Sequence, residues 1–474
     1  MKMMDKKICL GVVVGTRDFF NPALCGSARK EVLDCLEALD IASVIAPEEA
    51  TPHGAVETIA HARLYADLFR ENARHIDGIL VILPNFGDEI GIVQTLDLAG
   101  LNVPVMVQAC NDELDKVDVF SRRDAFCGKI SVCNNLYQYN IPFTDTTHHT
   151  CDIKSDAFRN DLKRFAAICR TVKGLSTARI GAIGARPAAF QTVRFSEKIL
   201  QSQGITIVPV DLSQIFAAAN KLDDKAQEVQ EKLAQIKAYG TIPGRIPEEQ
   251  ILRQTKFSVA VNDWMAENEC VASAVQCWTS IQDNYGCAAC LTMSMMGEDL
   301  MPSACEVDVA GTVSMYALLL ASGKPPGFLD WNNNYGYEEN KCVNTHCSNF
   351  PKSFMGEVPE IADLDILGET LGRENCFGAV KGKVAPGPMT YFRISTDDPK
   401  GKIKSYLGEG EFTSDPFAMD GGIAVCHVPR LRPLLDHICQ NGFEHHVAMV
   451  RGHVSQVLEE AVGKYLGWDL FVNQ

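Results

Sequence analysis

No stretch of this 474-residue sequence stays apolar for the roughly 20 residues that a bilayer span needs, and its longest run lies around Met315 to Ala321. Positive charge is scarce as well. With 60 acidic side chains against 44 basic ones, the net charge of −16 repels phosphate backbones and anionic membrane surfaces. Nucleic acid and membrane are therefore not expected partners. Lys2, Lys6 and Lys7 precede the apolar stretch Ile8 to Val14, but Gly15-Thr16-Arg17-Asp18 follows without a small-residue cleavage site, so the stretch reads as a first β-strand rather than a signal peptide. Gly181-Ala182-Ile183-Gly184-Ala185-Arg186 lacks the full G-x-G-x-x-G pattern, and no nicotinamide is expected. Cys287-Ala288-Ala289-Cys290 has no second C-x-x-C at finger spacing and sits among apolar residues, which favours helix packing over zinc or an iron–sulfur cluster. There is no internal repeat.

Cysteine, by contrast, is plentiful. The 18 cysteines are scattered through apolar segments such as Ile8-Cys9-Leu10 and Ile168-Cys169, which reads as reduced core packing in a cytoplasmic protein. Length predicts about three domains of roughly 150 residues. Over the first hundred residues, short Val/Ile/Leu runs alternate with amphipathic stretches, as in Ile8 to Val14, Ala28 to Leu39, Ala42 to Ile45, Val56 to Phe69 and Gly78 to Leu83. That alternation predicts a parallel sheet with helices on both faces. Ligands collect at the carboxyl edge of such a sheet, so Arg17, after the first strand, is a candidate binding residue.

A polar stretch from Thr144 to Lys154 ends this pattern, and a second doubly wound unit starts at Ala178 to Gly184. It continues through a helix from about Thr192 to Ser202, a strand at Ile205 to Val210, a charged helix from Asp223 to Tyr239 and a helix from Glu249 to Cys277. After Asn349 the texture turns to Gly, Pro and β-branched residues in short alternating runs, such as Phe377 to Val384 and Met389 to Ile394, which predicts antiparallel structure resembling a barrel. The expected fold class is thus α/β: two doubly wound α/β domains, 1–172 and 173–325, followed by a β-rich, barrel-like C-terminal domain, 326–474, with a closing helix.

Glu306 and Asp330 flank the apolar run Val309 to Ser322, and two further polar signals accompany them: Thr345-His346-Cys347-Ser348-Asn349 and Glu444-His445-His446. Two carboxylates with one or two histidines make a hard, oxygen-rich site suited to Mn²⁺ or Mg²⁺, whose open positions accept sugar oxygens. Each residue also has a plainer reading. An acid at a helix start favours the dipole, Asp330 before three asparagines suits a turn, and a histidine doublet is ordinarily surface decoration. Arg17 and Arg186 each follow a predicted strand, where a guanidinium can clamp a hydroxyl or an anionic substituent, or form a surface ion pair.

The order and spacing of Pro302-Ser303-Ala304-Cys305-Glu306-Val307-Asp308, Gly327-Phe328-Leu329-Asp330-Trp331-Asn332-Asn333, Val384-Ala385-Pro386-Gly387-Pro388-Met389-Thr390 and His445-His446 resemble the L-fucose isomerase and L-arabinose isomerase family, from about Lys173 to the end. The resemblance implies Glu306, Asp330 and His446 as metal ligands, with the two carboxylates also carrying protons. It implies His346 as a further ligand or sugar contact, like the additional histidine of the arabinose branch, whereas Asp at position 330 resembles the fucose branch. Gln276 resembles a sugar-contacting glutamine, and Trp331 is a candidate apolar wall. The expected activity is aldose–ketose isomerisation of a free sugar, including deoxy or sulfonated sugars, with Mn²⁺ or another divalent cation such as Mg²⁺ or Co²⁺. A trimeric or hexameric homo-oligomer with shared active sites is implied too. Two other classes stay open at the level of sequence: a non-catalytic sugar sensor and an iron–sulfur or thiol enzyme.

Overall fold

Six-residue runs without a polar side chain, Cys9–Val14 (β1) and Gly78–Leu83 (β3), are buried along their whole length, as strands covered on both faces must be. In the computed structural model, which describes Met4, residues 6–347 and residues 349–474, they lie side by side in a five-stranded parallel sheet. Its other strands are Ala42–Val44 (β2), Val105–Ala109 (β4) and Thr144–Asp145 (β5), in the order β2-β1-β3-β4-β5. Lys2 and Ser348 lie outside the described residues. Helices Ala23–Ala38, Ile59–Glu71, Glu89–Ala99 and Ala125–Gln138 connect the strands. Asp88 caps one helix through Gly91, and Gly100 ends that helix with a left-handed φ of 60°. This sheet belongs to a compact unit of Met1–Lys173 and Glu460–Leu466.

The second unit, Gly174–Glu459 with Gly467–Gln474, contains two sheets. The smaller is parallel, with strands Arg179–Ile183 (β6), Thr206–Val210 (β7), Ala272–Val275 (β8) and Ser303–Cys305 (β9) in the order β7-β6-β8-β9. One helix from Glu249 to Cys277 is not what forms there. The helix Glu248–Glu267 stops at Asn268, Glu269 turns with a φ of 53°, and β8 follows. Ala272, Ser273 and Ala274 carry no β-branched signal, yet their small side chains suit a strand held between two neighbours. The charged helix starts at Gln227, and a separate helix, Leu212–Lys221, precedes it under an Asp211 cap.

The larger sheet is mixed and ten-stranded. It comprises Gly327–Asp330 (β10), Asn333–Asn334 (β11), Lys341–His346 (β12), Glu360–Asp363 (β13), Phe377–Lys383 (β14), Gly387–Asp397 (β15), Lys402–Phe412 (β16), Gly422–His427 (β17), His446–Arg451 (β18) and Asp469–Asn473 (β19). The antiparallel path β10-β18-β15-β16-β17-β12-β11 does not return on itself. Among the described residues, then, the sheet is open and the expected barrel closure is absent. The uncharged helix Val309–Ser322 is buried from Val309 to Ala321, with Thr312 Oγ1 donating to Ser273 O of β8 and Ser314 Oγ accepting from Ile394 N of β15. It thereby ties the two sheets of this unit together. No helix among the described residues is long and apolar enough to cross a membrane.

Candidate active site

Three strand ends and one tight turn bring the site together. β9 ends at Cys305, and the chain then passes through two consecutive left-handed residues, Glu306 at φ 60° and Val307 at φ 54°, before Asp308 caps the helix Val309–Ser322. Glu306 is therefore not in the first turn of that helix, as the dipole reading would need; Asp308 holds the cap through Gly311 N at 2.7 Å. A left-handed β-branched residue is strained, and such strain persists only where the surroundings fix it, typically at functional sites. Its effect here is to turn the Glu306 carboxylate toward the end of β10.

At that end Asp330 pairs in register with His446, the first residue of β18. His446 Nε2 lies 3.3 Å from Glu306 Oε2 and 3.5 Å from Asp330 Oδ1, and His346, closing β12, places Nε2 4.0 Å from the same Asp330 oxygen. Glu306 Oε2, Asp330 Oδ1 and His446 Nε2 are buried without any hydrogen-bond partner. Three such atoms aimed at one another would be costly unless a further group satisfies them. An octahedral ion with bonds of about 2.1 Å separates neighbouring donors by roughly 3 Å, close to these spacings. Glu306, His346 and His446 meet the spacing required for one ion, and so do Asp330, His445 and His446.

The histidine is aimed from behind. His446 Nδ1 donates to Asp308 Oδ2 at 2.8 Å, which leaves Nε2 facing the cluster. The fully buried Arg393 grips the same carboxylate, NH1 to Oδ2 at 2.7 Å and NH2 to Oδ1 at 3.0 Å, and reaches Glu444 with Nε at 3.2 Å. Burial alone would raise the Asp308 pKa, but Arg393 and His446 hold it far below the usual carboxylate range. Burial opposes charge on His446 too, yet Asp308 and Glu306 raise its pKa to about 9. His346 likewise rises to about 10 against its burial, through Cys347 and Asp330. Both shifts report a strongly negative environment, which favours a cation. Asp330 moves upward because burial outweighs its histidine neighbours, and burial pushes His445 down to about 4.

The cluster opens onto a cavity of about 420 Å³, lined by Glu306, Asp330, Asn332, Thr345 and His346 together with Asp365, Ile366, Lys381 and Asp420. Four of the residues singled out from sequence, Glu306, Asp330, His346 and His446, are thus brought together. The others lie elsewhere. Gln276 follows a strand rather than ending a helix; it accepts from Ala185 N at 2.8 Å and donates to Trp278 O at 3.1 Å, and Trp278 lines the cavity. Arg186 bonds Pro187 O and Ala188 O in its own loop. The Trp331 indole donates to Tyr406 Oη at 3.0 Å and lines a separate, smaller cavity. Arg17, in the first unit, pairs with Glu89 at 2.7 Å and lies over the Phe86 ring.

Sequence reasoning missed Asp308, Arg393 and Lys381. The signal for Arg393 was a lone charge inside the apolar alternation Tyr391-Phe392-Arg393-Ile394, which demands a buried partner.

Carboxylates and imidazoles grouped at metal-binding spacing beside a cavity, where a parallel α/β sheet meets a large mixed sheet, define the class as an enzyme with a candidate divalent-metal site. Comparison with known proteins is narrower. Residues 11–176 match the N-terminal domain of fucose/sulfoquinovose isomerases, and residues 344–473 match the L-fucose isomerase C-terminal domain, together more than half of the chain. Sulfoquinovose isomerases of Priestia aryabhattai and Priestia megaterium are each 25% identical over 459 residues, covering 96% of this chain and 97% of theirs. That of Alkalicoccus urumqiensis is 27% identical over 299 residues, covering 61% of this chain and 64% of its own. The chain belongs to the fucose/sulfoquinovose isomerase family and is an aldose–ketose isomerase. The similarity thus reaches into the N-terminal unit, beyond the stretch where the motifs had shown it, and the sensor reading falls.

Proposed function

We propose that the enzyme interconverts the aldose and ketose forms of a sulfonated sugar through a cis-enediol, with Glu306, Asp330 and His446 holding a divalent cation, Mn²⁺ by preference, and His346 completing the set. The three orphaned atoms Glu306 Oε2, Asp330 Oδ1 and His446 Nε2 carry this reading. Such a cation, when bound, supplies Lewis-acid stabilisation of the negative charge that develops on the two sugar oxygens.

The rest falls to the chain's own residues. Moving the carbonyl requires a proton to leave C2 and return at C1, and a positioned carboxylate is suited to take it and give it back. Glu306 and Asp330 are assigned as the pair that carries the protons, and Asp308 keeps the His446 tautomer that presents Nε2 to the site. No nicotinamide is required, because the reaction has no net redox change.

The sulfonated substrate is inferred from the relatives and raises a question of charge. Lys381 is the only lysine or arginine among the described residues lining the cavity, and Asp365 already pairs with it while Asp420 lies 3.9 Å away. A sulfonate calls for a further cation. Arg17 of a neighbouring subunit is assigned that role, in a trimeric or hexameric assembly with shared sites. A panel of aldoses, sulfonated and plain, assayed for ketose formation with Mn²⁺ tests the reading. Turnover of a sulfonated hexose above all plain sugars supports it; preference for a plain pentose or hexose refutes the assigned substrate.

A further inference from the structure

Four cysteines from four separate segments converge behind the carboxylates: Cys277 after β8, Cys290 at the start of the helix Cys290–Glu298, Cys305 at the end of β9 and Cys347 after β12. Cys290 Sγ donates to Cys347 O at 3.6 Å. All four are free thiols. Cys305 Sγ lies 3.4 Å from His346 Nδ1 and 3.3 Å from Nε2, and Cys347 Sγ lies 3.4 Å from Nδ1. Donor atoms of Cys305, His346 and Cys347 all lie within 4.8 Å of one another. None of these sulfurs has a part in the isomerisation described above.

A tetrahedral ion bound by thiolate at about 2.3 Å and imidazole at about 2.0 Å spaces its donors roughly 3.5 to 3.8 Å apart. The observed separations are within a few tenths of an ångström of that edge. Sulfur donors select the opposite kind of ion from the neighbouring carboxylates, a soft or borderline cation rather than Mn²⁺ or Mg²⁺. An iron–sulfur cluster holds its thiolates apart around an inorganic core, so two thiols and an imidazole within 4.8 Å of one another match one ion instead. Cys347 lines the main cavity, which gives an ion its way in.

We propose that Cys305, His346 and Cys347, with a fourth position left open to the cavity, form a site for a single thiophilic cation such as Zn²⁺, whose binding draws His346 away from the sugar cavity and inhibits turnover. Each thiol that binds releases its proton to solvent, and no oxidant is involved. Binding stands independently of the isomerase reading; only the inhibition rests on it.

The test uses the full-length, Mn²⁺-loaded protein with its thiols kept reduced and the exposed Cys127 and Cys439 replaced by serine. Cd²⁺ is titrated while the ultraviolet thiolate-to-cadmium charge-transfer band and turnover are followed together. One equivalent should saturate the band, Zn²⁺ should displace it, and turnover should fall at least tenfold. Cys347→Ser and Cys305→Ser should each abolish stoichiometric binding, while Cys342→Ser retains it. Should Cys305→Ser fail to fold, Cys347→Ser, at the cavity wall, decides alone. A missing band in the parent protein, or an unchanged band in Cys347→Ser, overturns the site. Saturation without loss of turnover overturns the inhibition. A protein that binds Cd²⁺ stoichiometrically but isomerises no sugar contradicts the isomerase reading and leaves this site standing.

Discussion

Asp330 and His446 are directly opposed in the antiparallel pairing of β10 with β18, and that register places Asp330 Oδ1 3.5 Å from His446 Nε2. A slip of one residue would turn either side chain to the other face of the sheet. The site is thus specified by strand register, and the buried Asp308–Arg393–Glu444 network holds it from behind.

Asp308→Asn should leave the fold standing, because an amide oxygen can still cap Gly311 N, while the orientation of His446 is lost. Mn²⁺ affinity and kcat should each fall roughly 10- to 100-fold, the usual cost of removing a group that orients a metal-binding histidine. Asp308→Ala, which leaves Arg393 partly unpaired in the interior, should cost about 3–5 kcal/mol of stability. Titration calorimetry with Mn²⁺ and denaturant unfolding separate the two effects; an Asp308→Asn enzyme with unchanged Mn²⁺ affinity contradicts the orienting role.

Glu306→Gln removes a negative ligand and a proton carrier while keeping the shape. A loss in kcat of roughly 10² or more is expected, on the scale of a positioned acid/base group, with the circular dichroism spectrum unchanged. Activity within about twofold of the parent enzyme would leave Glu306 as a strained turn residue and nothing more.

Protons and cation compete for His446. In the metal-free protein its pKa is raised from 6.5 to about 9, so the stability it contributes is fully present below 6.5 and is lost as pH climbs through 9. Bound cation replaces that proton, and its stabilising effect should grow over the same window. The rise in Tm produced by saturating Mn²⁺ should therefore be larger at pH 9 than at pH 6.5. A Tm increment that is flat or shrinks with pH contradicts the competition.

Arg17→Ala should raise KM for a sulfonated sugar with less effect on kcat, the pattern of lost uniform binding. Mixing Arg17→Ala subunits with Glu306→Gln subunits should recover part of the activity, because some interfaces would pair an intact Arg17 with an intact Glu306. If the subunits demonstrably exchange and no activity returns, Arg17 has no role across an interface.

The parallel α/β texture was legible because buried strands such as β1 and β3 are apolar throughout, and Glu306, Asp330, His346 and His446 stood out through the spacing of their motifs. What escaped the sequence was set by tertiary context. β8 is built from Ala and Ser that signal no strand by themselves, and only the sheet around them selects that conformation. Glu306 looked helical because it precedes an apolar helix, whereas the left-handed turn that removes it from the helix depends on its neighbours. Trp331 was an attractive sugar platform by sequence position alone, yet alternation along the chain takes its indole to Tyr406 instead. Arg393 and Asp308 meet across 85 positions in the sequence, a pairing no local pattern announces.

The most direct measurement is turnover after exhaustive chelation, with bound metal quantified in the same sample. The account predicts no turnover in metal-free protein, recovery on adding Mn²⁺, and weaker recovery with Zn²⁺, since two carboxylates are joined by sugar oxygens and the sugar needs open octahedral positions. Full activity in protein shown to hold no metal would contradict it.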